Sequence, residues 1–99
     1  MAYTIEFAKS VRMHLQALTA RQRSSIFDAI ERQLANEPRA ETRNRKPLRP
    51  NPIAPWELRV GKLRVFYDVS DGPPPVVMIL AVGVKERDVL HIAGEEIQL

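Results

Sequence analysis

The residues best suited to chemistry lie in the second half of the chain. Trp56, Leu58 and Val60 alternate with Glu57 and Arg59; after Gly61-Lys62, Leu63, Val65, Tyr67 and Val69 alternate with Arg64, Phe66 and Asp68. Two runs of period two around a two-residue break predict a β-hairpin, and glycine at the first central position suits a type II′ turn. With Gly61-Lys62 as the loop, Val60 faces Leu63 and Arg59 faces Arg64. Two arginines directly opposite on one face repel. Two readings of this pair stand side by side. An anion lying across both guanidiniums removes the repulsion, or Glu57 or Asp68 neutralises them diagonally from within. Phe66 falls on the arginine face, where it could serve as a platform for a base. Trp56 and Tyr67 fall on the opposite face, where core packing is their expected role.

A second constellation, Lys85, Glu86, Arg87, Asp88 and His91, follows an apolar run. Charges at a strand end can point into a cleft, and His91 can exchange protons near neutral pH. A lone histidine equally fits a satisfied surface residue, and His14, beside a helical stripe, fits that description better. A third cluster, Arg39, Arg43, Arg45, Lys46 and Arg49, stands against the single Glu41. It raises local positive potential and favours a polyanion or an acidic protein; a solvated basic loop is the alternative. The overall charge of +3 is therefore uneven, with residues 1–55 carrying +5 and residues 56–99 carrying −2. Walker, GxGxxG, HExxH and nucleophile-elbow motifs are absent. The two histidines are far apart and no motif joins them. There is no cysteine, so disulfides and thiolate metal sites are excluded, and neither a metal nor a cofactor is expected.

The elements that must position these residues are legible from period and punctuation. Tyr3, Ile5 and Phe7 alternate with Thr4 and Glu6 as a half-buried strand. Val11, Leu15 and Leu18 then fall at helical spacing. Thr19-Ala20-Arg21-Gln22 fits a capping box that opens a second helix, with Ile26, Phe27, Ile30 and Leu34 as its apolar stripe and an end marked by Pro38. Residues 38–55 hold Pro38, Pro47, Pro50, Pro52 and Pro55, a density at which no regular element is expected. Val76 to Val84 is a continuous apolar strand, buried on both faces. The expected fold is α+β, ordered β-α-α-β-β-β with a short tail, a helical hairpin packed on a small, mainly antiparallel sheet.

Length bounds the rest. A chain of 99 residues has room for one compact domain, taken as 1–99. Apolar residues at 44% supply a core, and charged residues at 27% are ordinary for a soluble protein. The opening MAYTIEFAK lacks a basic segment and a long apolar stretch, so no secretory leader is expected. The longest apolar run falls far short of the ~20 residues of a membrane helix. A cytoplasmic protein without membrane contact is the expectation.

WELRVGKLRVFYDV (56–69), ILAVG (79–83) and the basic KER that follows resemble the RelE/ParE toxin superfamily. The opening YTIEF and the two helices after it match in order, so the resemblance spans nearly the whole chain. It implies a type II toxin–antitoxin system toxin, neutralised by a cognate antitoxin that wraps around it, with operator DNA reached through the antitoxin complex. RelE-like members are mRNA interferases: endoribonucleases that cut messenger RNA in the ribosomal A site without a metal, inhibiting translation. A ribose 2′-hydroxyl attacks the adjacent phosphate, and fixed cations stabilise the charge gained in the transition state. By position, Arg64 corresponds to the arginine that holds the scissile phosphate. Lys85 is the basic residue after the last long strand, and His91 stands where an aromatic residue orients or protonates. Arg59, Lys62, Phe66, Arg87, Arg45 and Lys46 are the implied RNA contacts. Glu57 departs from the pattern, standing where RelE-type nucleases often have lysine; it either weakens the nuclease or takes general-base duty. The ParE-like branch, which poisons DNA gyrase without cutting RNA, is the alternative, and an inactive toxin-derived binding module is a third.

Overall fold

The computed structural model describes residues 2–99. The elements are β1 (Thr4–Phe7), α1 (Val11–Gln16), α2 (Ala20–Leu34), β2 (Arg45–Pro47), β3 (Trp56–Val60), β4 (Leu63–Ser70), β5 (Val76–Glu86), β6 (Val89–Ile92) and β7 (Glu95–Ile97). Strands β2 to β7 lie side by side in chain order, each pair antiparallel. β1 instead pairs with β5 in parallel, from Thr4↔Val76 to Phe7↔Ile79. Two helices on a mainly antiparallel sheet are the α+β architecture that the sequence predicts.

The capping box forms as expected. The Gln22 amide N–H donates to the Thr19 hydroxyl at 3.1 Å, and the Thr19 N–H donates to the Gln22 side chain at 2.9 Å. α2 then buries Ile26, Ala29, Ile30 and Leu34 against Leu58, Val65, Tyr67, Val77, Ile79 and Val82 on one face of the sheet. Trp56 stacks on Tyr67 with ring centroids 6.1 Å apart. The buried Tyr67 hydroxyl donates to the Pro38 carbonyl at 2.7 Å, and burial pushes its ionisation well above the usual phenol range.

Two segments depart from expectation. The proline-rich connector contains β2, whose register runs Arg45↔Leu58 to Pro47↔Trp56. This is tolerated because β2 lies at the edge of the sheet, where a residue without an N–H need not break a ladder. The tail adds β6 and β7 through two tight turns. Arg87 and Asp88 have φ of 50° and 65°, and Ala93 and Gly94 have 52° and 82°. Left-handed backbone at both central positions is the type I′ pattern that matches strand twist, and only Gly94 signals it in the sequence.

The other face of the sheet carries a second core: Ala54, Phe66, Ala81, Leu90 and Ile92, with Leu48, Ile53, Leu80 and Ile97 packed against it. Part of it comes from the connector, which Asn51 organises. The Asn51 side-chain amide donates to Arg49 O and Ala54 O, and its oxygen accepts from the Ile53 and Ala54 amides at 2.8 and 3.0 Å. β5 serves both cores through a bulge. Phe66 pairs with Ala81 and Tyr67 with Ile79, so Leu80 is an extra residue, and Leu80 and Ala81 join the same core.

Candidate functional site

The hairpin places Arg59 opposite Arg64. Gly61 has φ +60° while Lys62 stays outside the left-handed region, in keeping with a type II′ turn. Register defines the surface around the arginines. Lys46, Glu57, Phe66 and Ala81 form one row across four strands, and Arg59, Arg64 and Gly83 form the next. Lys85 lies two residues beyond Gly83 on β5, diagonal to Arg64 on the same face. Its N–H donates to the Lys62 carbonyl at 2.7 Å, bringing the hairpin tip beside it. Lys62 and Arg87 are exposed at neighbouring turns.

Glu57 resolves the repulsion between the arginines. Its Oε1 lies 3.0 Å from Arg64 Nε and 3.5 Å from Arg59 Nε. Glu57 is only 7% exposed and is the buried charged residue of the sheet. Of the two readings of the pair, diagonal neutralisation is the one observed. Arg64 is drawn inward: its Nη1 donates to the carbonyls of Gly61 and Leu63, both at 2.8 Å. Its Nε is buried with no aligned acceptor, because Glu57 Oε1 is close but off the N–H direction. Arg59 remains exposed, with 43% of its side chain in solvent.

Three expected site residues are placed elsewhere. Phe66 is 1% exposed in the second core, so it offers no platform to a base; the connector and β6 make buried a face that hairpin periodicity alone leaves open. His91 pairs with Val84, between Leu90 and Ile92, which join the second core. Alternation therefore sends the imidazole to the opposite face from Arg64. Arg45 Nη1 donates to Gln33 O in the last turn of α2, a carbonyl that a helix terminus leaves without an intrahelical partner, and to Glu37 O just beyond the helix. The basic run of the connector is thus divided by function. Arg45 holds a helix end, and Arg39 pairs with Asp71 at 2.6 Å, where the Tyr3 hydroxyl also donates at 3.0 Å. Those two donors hold the Asp71 carboxyl below its ordinary range.

His14 is satisfied, as its surroundings in sequence suggest. β1 pairs with β5 only as far as Ile79, and β6 takes over at Val84. In the gap, the Val82 N–H donates to His14 Nδ1 at 3.3 Å. Burial lowers the imidazole's proton affinity. Among the described residues no three His, Asp or Glu side chains converge as metal ligands, and no helix is long and apolar enough to cross a membrane.

One surface escapes sequence reading. Phe7 and Phe27 meet edge to face, ring centroids 5.9 Å apart, yet are 43% and 44% exposed. With Val11 and Leu15 they line a groove of about 650 Å³ that Lys9 and Arg12 also border. Phe27 follows the buried Ile26 by one residue, a ~100° rotation that carries it off the core stripe.

The architecture accords with a solved structure. A chain of the toxin–antitoxin complex RelBE2 from Mycobacterium tuberculosis superposes with a TM-score of 0.70, at 29% identity, covering 83% of this chain and 96% of that one. No family model and no curated protein matches the sequence. The fold and this similarity support a RelE-like toxin superfamily for the chain.

Proposed function

We propose that this chain is the toxin of a type II toxin–antitoxin pair and that it cleaves messenger RNA on the ribosome. The observation that carries the reading is the cationic face on which Arg59, Arg64 and Lys85 converge beside Lys62. A phosphodiester attacked by its neighbouring 2′-hydroxyl gains charge, and preorganised cations stabilise that charge more than the ground state. Arg64, anchored on the turn carbonyls, holds the phosphate. Arg59 and Lys62 guide the strand, and Lys85 stabilises the transition state from the diagonal. His91 takes no part, because it lies on the other face. The similar structure is a toxin–antitoxin complex, which supports an antitoxin partner here; the Phe7–Phe27 groove, bordered by Lys9 and Arg12, fits an apolar segment flanked by carboxylates. The test is purified protein on translating ribosomes, read by primer extension. A-site cleavage that Arg64→Ala abolishes supports the reading, and intact message defeats it.

A second reading, a gyrase-directed toxin that cuts no RNA, has two observations in its favour. The imidazole is absent from the arginine face, and Glu57 already holds both arginines. Inhibited supercoiling with intact message is its signature.

A further inference from the structure

We infer that Glu57 is a built-in counter-ion that occupies the anion position between Arg59 and Arg64, so that an incoming phosphate binds only by displacing it. This rests on the cationic face being an anion site and deepens that reading by setting what the site accepts.

The geometry is that of a bound anion. A single oxygen, Glu57 Oε1, lies within 3.5 Å of the Nε atoms of two arginines that register places face to face. A phosphate oxygen bridging the pair would take the same place. Glu57 is also poorly served there. Arg64 Nε, buried and 3.0 Å away, has no aligned acceptor, and Arg64 directs its Nη1 to two backbone carbonyls instead. Lys46 is the direct cross-strand partner of Glu57 yet closes no ion pair with it among the described residues. A displaced Glu57 carboxylate therefore has a cation on its other side to turn toward. Arg59 keeps nearly half of its side chain in solvent and is the point of first contact for a ligand.

Selectivity follows. A lone anion must compete with a carboxylate that is covalently held at the site and thus present at high effective concentration. A polyanion contacting Arg59, Lys62 and Lys85 at once brings the extra interactions that make exchange favourable. The wild-type face thus discriminates against free phosphate and sulfate and in favour of a strand with successive phosphates.

The experiment is a sulfate titration of the full chain, followed by the Nε–Hε resonances of Arg59 and Arg64. Removing one negative charge from between two cations that receive the ligand should tighten sulfate binding on the order of tenfold in Glu57→Gln. A melting curve of each protein accompanies the titration. Unchanged or weaker sulfate binding in a folded Glu57→Gln overturns the inference and leaves Glu57 a purely structural pin. Should Glu57→Gln fail to fold, Glu57→Met, of similar volume and without polar side-chain oxygens, carries the same expectation and the same refutation. The sulfate readout involves neither ribosome nor cleavage. A protein that leaves message intact while Glu57→Gln tightens sulfate loses the nuclease reading and keeps the counter-ion.

Discussion

Arg45→Ala separates a structural role from an RNA contact at a residue whose sequence context suggests the latter. The side chain donates to Gln33 O in a partly buried setting and to Glu37 O in an exposed one. A hydrogen bond from a charged donor contributes about 1.5–3 kcal/mol when shielded, and the exposed bond is worth less because water replaces it. The cation also sits at the C-terminal end of α2, worth about 0.3–1 kcal/mol. Against these stands Arg45 Nε, buried without an acceptor, whose removal returns roughly 1 kcal/mol of desolvation cost. The net loss is about 1–3 kcal/mol. For a chain of this length that lowers the melting temperature by roughly 4–24 °C. Urea and thermal unfolding of both proteins measure it, and RNA affinity below the transition of each is measured in parallel. The reasoning is refuted if Arg45→Ala melts with the wild type, or if it keeps its stability while losing RNA binding.

Four further outcomes are expected. Burial lowers the pKa of His14 below its ordinary 6.5, so the folded state favours the neutral ring that accepts from Val82. Its stability contribution is then fully present above pH 6.5 and is lost as pH falls through the lowered value; urea midpoints from neutral to acid pH should drop more in wild type than in His14→Gln. Gly83→Ala would place a Cβ 2.5 Å from His91 O and 2.9 Å from Ile92 Cγ1, so β6 must shift, at a cost of about 2–3 kcal/mol in chemical denaturation; an undisturbed midpoint would contradict the β5–β6 register. His91→Ala should leave any A-site cleavage within about twofold, since a general acid or base usually contributes at least ~100-fold, and a loss of that size would put the imidazole back at the phosphate. Phe27→Glu should weaken antitoxin capture by at least about tenfold with little change in melting temperature, and equal affinity in a calorimetric titration would move the antitoxin surface elsewhere.

The family similarity and the site bear differently on function. The RelE-like fold supports the class of protein, while the proposed reaction would depend on a few side chains on one sheet face. Glu57 is the pivot, because its carboxylate sits between two arginines that would otherwise repel.

Local pattern alone determined much of this protein. The period of two in residues 56–69, interrupted at Gly61-Lys62, is enough to set the hairpin register and so to bring Arg59 opposite Arg64. The Thr19–Gln22 spacing marks the start of α2, and both features arise between near neighbours in sequence. Tertiary structure decided which faces are covered. Phe66 is buried because residues 48–54 and the β6–β7 hairpin close over it, and Phe27 is exposed because the stripe that packs on the sheet passes through Ile26 instead. His91 leaves the arginines because its face is set by pairing with β5 across a turn that two non-glycine residues form in the left-handed region. Arg45 becomes a helix cap because the connector returns to the end of α2. Such outcomes depend on contacts between distant segments, which leave no periodic mark in the residues that make them.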